Sequence, residues 1–303
     1  MVHRVMGVSC VPRTMHQMDD QLVTIVRPGR LFKQRARRET MDLKLKRKVA
    51  IITGGSDGIG KAAALSLSRE GARVAIAART EVTLANAVKE IIDETGNEAI
   101  GIPTDVTDEA QVEALINEVV SKWGGVDILV NNAGTSSVAR LQDLSNEQMM
   151  GDIQLKVYGA IYCARHALEH LKRSESAVII NTTTPGGKAP AAGTQPTAMS
   201  RAAGISLTKT WSKELAEFNI RVNTICIGLI KSGQHRSKWA VVHEDDASYS
   251  LDDHWQVLAK SVPLGRVGEA SEAGDVICFL ASPKASYVTG TAINIDGGTS
   301  PVV

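Results

Sequence analysis

Aromatic side chains are scarce in this chain: three phenylalanines, four tyrosines and four tryptophans make up 4% of 303 residues. A core built on stacked rings is therefore excluded. The abundant Ala, Gly, Val and Ile suit a parallel α/β sheet covered on both faces. Cysteine is equally thin. Cys10, Cys163, Cys226 and Cys278 lie far apart, with no Cys-x-x-Cys or Cys/His spacing. That argues against a disulfide framework or a zinc site and fits a reducing cytosol. No apolar run approaches the ~20 residues of a membrane span, so no membrane partner is expected. Overall charge is balanced, with 34 Lys/Arg against 33 Asp/Glu. Its distribution is uneven: residues 1–48 hold 12 Lys/Arg against 4 Asp/Glu, and the rest hold 22 against 29. The body is mildly acidic and carries no basic stripe, so no nucleic-acid partner is expected.

From Lys48 onward the chain alternates β-branched runs with helix-length connectors. The runs are "VAIIT" (49–53), "RVAIA" (73–77), "AIGIP" (99–103), "DILVN" (127–131), "AVIIN" (177–181), "IRVNTIC" (220–226) and "TAINI" (291–295). Helices are expected over 58–70, 81–95, 108–123, 146–173, 198–218 and 270–282. Strands joined by helical crossovers give a parallel sheet, and right-handed connections give a doubly wound one. The fold class is α/β, a Rossmann-type doubly wound parallel sheet over residues 41–303, with one long irregular stretch at 229–269. A stretch of that length in a compact domain is usually functional, and it reads as a lid insertion. Its aromatics, including Trp239, Tyr249 and Trp255, either close over a substrate or pack on the body.

"TGGSDGIG" (Thr53–Gly60) follows the first run and opens a helix, the setting of a dinucleotide-binding loop. Gly54 permits the tight turn, Gly58 the approach of a pyrophosphate, and Gly60 close helix packing. Ser56, Asp57 and Ile59 complete the loop. Anions bind at such a helix N-terminus through its free N–H groups. A preference for NAD would place an acidic residue after the second run. This chain has Ala78, Arg79 and Thr80, and a guanidinium suits a ribose 2′-phosphate. NADP(H) is the expected cofactor. The alternative, Arg79 as a solvated surface arginine, stays open.

Further motifs fall in order: "DVTD" (105–108), "NNAG" (131–134), "IRVNTI" (220–225), "PLGRVGE" (263–269), "FLASPKASYVTG" (279–290) and "DGG" (296–298). With the glycine loop, they make residues 43–298 resemble the short-chain dehydrogenases/reductases, near the 3-oxoacyl-carrier-protein reductase-like group. The resemblance implies one Rossmann-type domain, an NAD(P)(H) cofactor, a small-molecule substrate and a homo-oligomer, often a tetramer. It implies that Asp105 and Val106 flank the adenine and that Asn132, Ala133 and Gly134 floor the site. Gly228, Ile230 and Ser232, beyond the sixth run, complete the cofactor set.

That family works with Asn, Ser, Tyr and Lys, and here all four positions differ. The asparagine position is Lys156, the serine position Thr184, the tyrosine position Thr197 and the lysine position Arg201. A threonine hydroxyl resembles water, whose pKa is ~15.7, and cannot act as an acid near neutrality. Arg201 can bond ribose hydroxyls but relays protons poorly. Lys156 either points at the nicotinamide as a substitute proton source or bends away to solvent. His235 either reaches the site from the lid or lies on the surface. Three readings compete: an NADP(H)-dependent oxidoreductase with altered chemistry, a non-catalytic NADP(H)-binding protein, and a lyase or isomerase reusing the pocket. The intact glycine loop weighs against the last.

Residues 1–40 read as a basic, unstructured extension with a loose likeness to a transit peptide, and "MDLKLKRKVAIITGG" from Met41 reads as a natural start. A chain beginning at Met41 is expected to fold with the melting temperature and cofactor affinity of the full chain. Thermal denaturation and fluorescence titration of the two chains check this, and loss of soluble protein on truncation would contradict it.

Overall fold

The structure, a computed structural model, describes residues 22–27, 30–35 and 41–303. The chain divides into two compact units, Met1–Asp42 and Leu43–Val303. In the first, β1 (Leu22–Arg27) pairs antiparallel with β2 (Arg30–Arg35), Leu22 opposite Arg35. This corrects the expectation of an extension without regular structure. The β-branched run Val23–Val26 favours extended backbone.

The second unit runs β3 (Val49–Thr53), α1 (Gly58–Arg69), β4 (Arg73–Ala78), α2 (Glu81–Thr95), β5 (Ala99–Pro103), α3 (Glu109–Trp123) and β6 (Ile128–Asn131). After the short β7 (Val138–Ala139) come α4 (Asn146–Ile153), α5 (Gly159–Leu171), β8 (Val178–Thr183) and β9 (Gln195–Pro196). Then follow α6 (Thr197–Glu214), β10 (Arg221–Ile227), α7 (Gly233–Asp245), α8 (Leu251–Ala259), α9 (Ala270–Ala281) and β11 (Ala292–Ile295). Seven strands form one parallel sheet in the order β11-β10-β8-β6-β3-β4-β5. β7 and β9 pair separately, Val138 opposite Pro196.

Both faces of the sheet are buried, which is why its strands read as unbroken apolar runs. Alternate residues serve opposite cores. Ala50, Ile52, Val74 and Ile76 pack with α1, α2 and α9. Val49, Ile51, Ala75 and Ala77 pack with α3 and α5. Helices α1 and α9 cross closely because Gly274 has no side chain; a Cβ there would lie 2.7 Å from the Ala62 carbonyl oxygen.

Two expected elements differ. The helix expected over 146–173 is divided into α4 and α5 by a π-helical turn at Gln154–Tyr158. Such turns are frequent at functional sites, and Lys156 is the buried residue of this one. The lid is not irregular throughout, since α7 and α8 lie within it and α8 starts with a Ser250/Asp253 capping box. Neither helix has a buried residue, while Ile230, Val262 and Val267 at the ends of this stretch are buried. No helix among the described residues is long and apolar enough to cross a membrane.

Arg221 starts β10 and is buried. Its Nη1 donates to the Leu280 carbonyl at 2.7 Å, and its Nη2 donates to the Ala281 and Ser282 carbonyls at 3.4 and 3.2 Å. A cation thus caps the C-terminus of α9, where the helix dipole favours it. Arg221→Met leaves those buried carbonyls unbonded and is expected to cost ~2–3 kcal/mol. A urea midpoint shift with unaltered cofactor affinity checks this, because Arg221 sits at the end of the strand opposite the ligand crevice.

Candidate functional site

The strand order reverses between β3 and β6, and the crevice beyond their carboxyl ends is where such sheets bind ligands. Thr53 and Asn132 brace it. The Thr53 hydroxyl accepts from the amides of Asn132 and Ala133 at 3.0 and 3.1 Å. The Asn132 Nδ2 donates to the carbonyls of Thr53 and Gly54, each at 3.1 Å. Gly54 has φ +65°, in the left-handed region, and a Cβ on Gly60 would lie 2.2 Å from the Gly54 carbonyl oxygen. The loop is therefore closed down to bare backbone. Asp57 precedes α1 but makes no side-chain cap, so the first-turn amides remain open to an anion.

Two connected chemistries lie along the crevice. A pocket of about 200 Å³ is bounded by Ala78, Arg79, Thr80, Asp105 and Val106, with Gly54, Ser56, Ala133 and Gly134 on its inner side. The sequence-assigned adenosine residues are thus brought together. The Asp105 carboxylate accepts from the Thr107 amide and hydroxyl at 2.9 and 2.7 Å, fixing its own turn. Arg79 makes no hydrogen bond or ion pair with other described residues and borders the pocket. The second cleft, about 470 Å³, is bounded by Gly58, Ile59, Asn132, Gly228, Ile230 and Ser232, and by Thr184, Thr197 and Arg201.

Thr184, Thr197 and Arg201 therefore border the cleft, and Lys156 borders a smaller adjoining pocket. Thr184 stands at the end of β8. Thr197 opens α6; its hydroxyl donates to the Ser137 carbonyl at 2.6 Å and accepts from the Ser137 amide at 3.0 Å. It also accepts from Lys156 Nζ at 3.0 Å. Lys156 does not bend to solvent: its side chain is 1% exposed. Its ammonium pairs with Asp152, whose other oxygen accepts from the Ser200 hydroxyl at 2.5 Å. Burial brings the Lys156 ammonium down to about 8; the bond to Asp152 opposes this, and the Arg201 cation reinforces it.

Arg201 donates from Nη1 to the Thr182 carbonyl at 2.6 Å, and a Cβ on Gly134 would lie 2.8 Å from its Nη2. Burial lowers this guanidinium to about 10, against the pull of Asp152. It stays charged at neutral pH. This pocket, of about 20 Å³, is bounded by Lys156, Asn131, Thr182 and Arg201. Asn131 Oδ1, Thr182 Oγ1 and Arg201 Nε are buried there without a protein partner.

The lid crosses the cleft through side chains that the sequence did not single out. Arg236 pairs with Asp57 at 2.8 and 2.9 Å. Gln234 accepts from the Ser136 amide at 3.0 Å and donates to the Gly134 carbonyl at 3.2 Å. His235 does border the cleft, but burial, Lys238 and His254 all push its pKa down. It is a poor acid at neutral pH. Asp152 and Ser200 also went unread. A carboxylate four residues before Lys156 was the available signal, since residues i and i+4 meet on a helix.

Known proteins share this geometry. The family model described as enoyl-(acyl carrier protein) reductase matches residues 54–300. A 3-oxoacyl-[acyl-carrier-protein] reductase of Thermotoga maritima is 35% identical over 264 residues, 84% of this chain and 99% of its own length. L-sorbose reductase from Gluconobacter frateurii, solved with NADPH and L-sorbose, has a TM-score of 0.83 at 30% identity and is covered over 100% of its length by 87% of this chain. A short-chain oxidoreductase from Pseudomonas aeruginosa PAO1, described as containing an atypical catalytic centre, was solved with NADPH bound. It has a TM-score of 0.78 at 34% identity, over 84% of this chain and 98% of that one.

Arg79 generates the prediction for this site. NADP(H) is expected to bind at least ~10-fold tighter than NAD(H), the worth of one charge-assisted contact of ~1.5–3 kcal/mol. Arg79→Ala should erase most of that difference. Fluorescence titration with both cofactors measures it, and equal affinities in the unaltered protein would contradict it.

Proposed function

The chain belongs to the enoyl-(acyl carrier protein) reductase family of short-chain dehydrogenases/reductases, and on that premise we propose that it is an NADP(H)-dependent oxidoreductase. It interconverts the carbonyl and alcohol of a small molecule, and Lys156 replaces the family tyrosine as proton source. The same reading makes it a homo-oligomer, as the family resemblance implies, and the scattered cysteines fit a cytoplasmic location. The observation that carries the proposal is the bond from the Lys156 ammonium to the Thr197 hydroxyl, which itself borders the cleft.

The cofactor, when bound, supplies or accepts the hydride. Gly54, Gly58 and Gly60, with the open amides of α1, hold its phosphates, and Arg79 takes the 2′-phosphate. Arg201 keeps a fixed positive charge beside Gly134, suited to the ribose hydroxyls of the nicotinamide half. The Thr184 hydroxyl faces the cleft and orients the substrate oxygen. With a pKa of about 8, Lys156 is roughly 90% protonated at pH 7. It is also a far stronger acid than a threonine hydroxyl, so the proton-transfer driving force lies with the lysine. Thr197 serves as conduit: it takes a proton from Lys156 while giving its own to the substrate oxygen, exchanging its bond to the Ser137 carbonyl for one to the substrate. Reduction requires charged Lys156, so its rate should fall as pH rises through about 8.

The assignment predicts an unequal pair of variants. Lys156→Met is expected to lose ~10²–10⁴-fold in turnover, the worth of a general acid. Thr197→Ala should lose less than ~10-fold, because water can occupy the hydroxyl's place and the acid remains. Steady-state rates on a panel of carbonyl compounds, with NADPH affinity measured alongside, check both. A large loss in Thr197→Ala with binding intact would transfer the role to the threonine. Tight NADPH binding with no turnover on any substrate would favour a binding protein instead.

A further inference from the structure

We infer that Asp152, tied down by Ser200, is the positioning residue that makes Lys156 usable as a proton source, holding its amine against Thr197. The inference rests on the reading of Lys156 given above and adds two residues to it.

The geometry comes first. Asp152 lies near the end of α4, one turn before Lys156, which sits within the π-helical turn that follows. One carboxylate oxygen meets Lys156 Nζ, and the other accepts from Ser200 Oγ at 2.5 Å. Ser200 Oγ also stands 3.0 Å from the Thr197 carbonyl oxygen. Ser200 is on α6, the helix that carries Thr197 and Arg201. Asp152 therefore spans from the lysine's own segment to the helix that presents the substrate-facing groups. The amine is aimed by two fixed points rather than by its flexible stem.

Electrostatics gives the second reason. The side chains of Lys156 and Asp152 are 1% and 2% exposed. A buried ion pair is generally no more stabilising than an apolar pair of the same size, so stability alone does not account for it. Two charged groups face Lys156: Asp152 from α4 and Arg201 from α6. The strands beneath present Asn131 from β6, and Asn181, Thr182 and Thr183 from β8, which do not titrate here. The Cys226 thiol on β10 is pushed up by burial and stays neutral. Burial and Arg201 both favour the neutral amine, and Asp152 alone opposes them. Without its carboxylate the lysine's pKa would fall further, leaving less of it protonated at neutral pH. After Lys156 passes one proton to Thr197, and Thr197 one to the substrate oxygen, the amine is neutral beside an unchanged carboxylate. That carboxylate then favours uptake of one proton from solvent, which restores the starting state.

Asp152→Asn preserves shape and removes the charge. In the full-length protein, NMR titration of isotope-labelled lysine should show Lys156 titrating at least one pH unit lower than in the unaltered chain. The alkaline limb of kcat/KM for carbonyl reduction should move down with it. At pH 8 the loss should reach about five-fold or more, shrinking as pH is lowered, with NADPH affinity unaltered. An unmoved Lys156 titration and an unmoved limb in the folded variant would overturn the proposal. Ser200→Ala leaves both charges in place and tests the tether: kcat should fall several-fold with KM unaltered, and wild-type kcat at every pH would overturn the proposal even if Asp152→Asn does not fold. If Lys156→Met keeps full turnover, the underlying reading fails instead, and the NMR titration still decides whether Asp152 governs the lysine's charge.

Discussion

An ammonium group withdrawn from water loses several kcal/mol of hydration, and the altered half of this site is arranged around one such group. Lys156 is buried beside the cleft with its amine on Thr197 Oγ1. Something had to offset that loss, and Asp152 does so from the preceding turn. A buried carboxylate needs partners for its remaining lone pairs, and Ser200 supplies one. The cluster fixes α4 to α6, so the helix bearing Thr197 and Arg201 cannot shift independently of the lysine. Arg201 bears on this pair from the other side. Burial, reinforced by this charge, brings the lysine down toward neutrality, into the range where a general acid is useful.

Arg201 apart, the cofactor half is braced by none of these residues. It is held by backbone and by two neutral side chains, Thr53 and Asn132, across the gap where the sheet order reverses. The two halves touch where the Arg201 guanidinium lies against Gly134, a position at which any side chain would collide with it. The glycine loop is therefore built without Lys156, Thr184 or Thr197, because dinucleotide binding needs an exposed helix terminus and bare backbone.

The division between these halves also governs what could be read from the sequence. The sheet was legible because strands buried on both faces must be apolar and β-branched throughout, as in "VAIIT" and "AVIIN". The glycine loop was legible because its spacing follows from backbone contacts such as that between Gly54 and Gly60. Thr184, Thr197 and Arg201 could be located because they sit at fixed distances from those strands, and all three border the cleft. The fate of Lys156 was not legible, since it depends on a π-helical turn inside what reads as one long helix. Ser200 was hidden for a different reason: a serine within a helix ordinarily bonds its own backbone, and only the fold brings Asp152 to it. The hairpin at 22–35 was missed because a basic composition outweighed a short β-branched run.

The lid completes the cleft by weaker means. Its helices bury no side chain of their own. It is fastened by the Arg236–Asp57 pair, whose members are 47% and 50% exposed, and by the Gln234 amide. Exposed ion pairs contribute ~0–1 kcal/mol, so these fastenings can open on the timescale of ligand exchange, while the buried ends at Ile230, Val262 and Val267 act as fixed hinges. Asp57 stands at the mouth of the phosphate-binding helix, and its pairing with Arg236 also keeps a carboxylate's charge from facing an incoming anion uncompensated. Lys156 and Asp152, by contrast, lie in the packed body outside this segment, where burial and the bond to Ser200 fix their geometry.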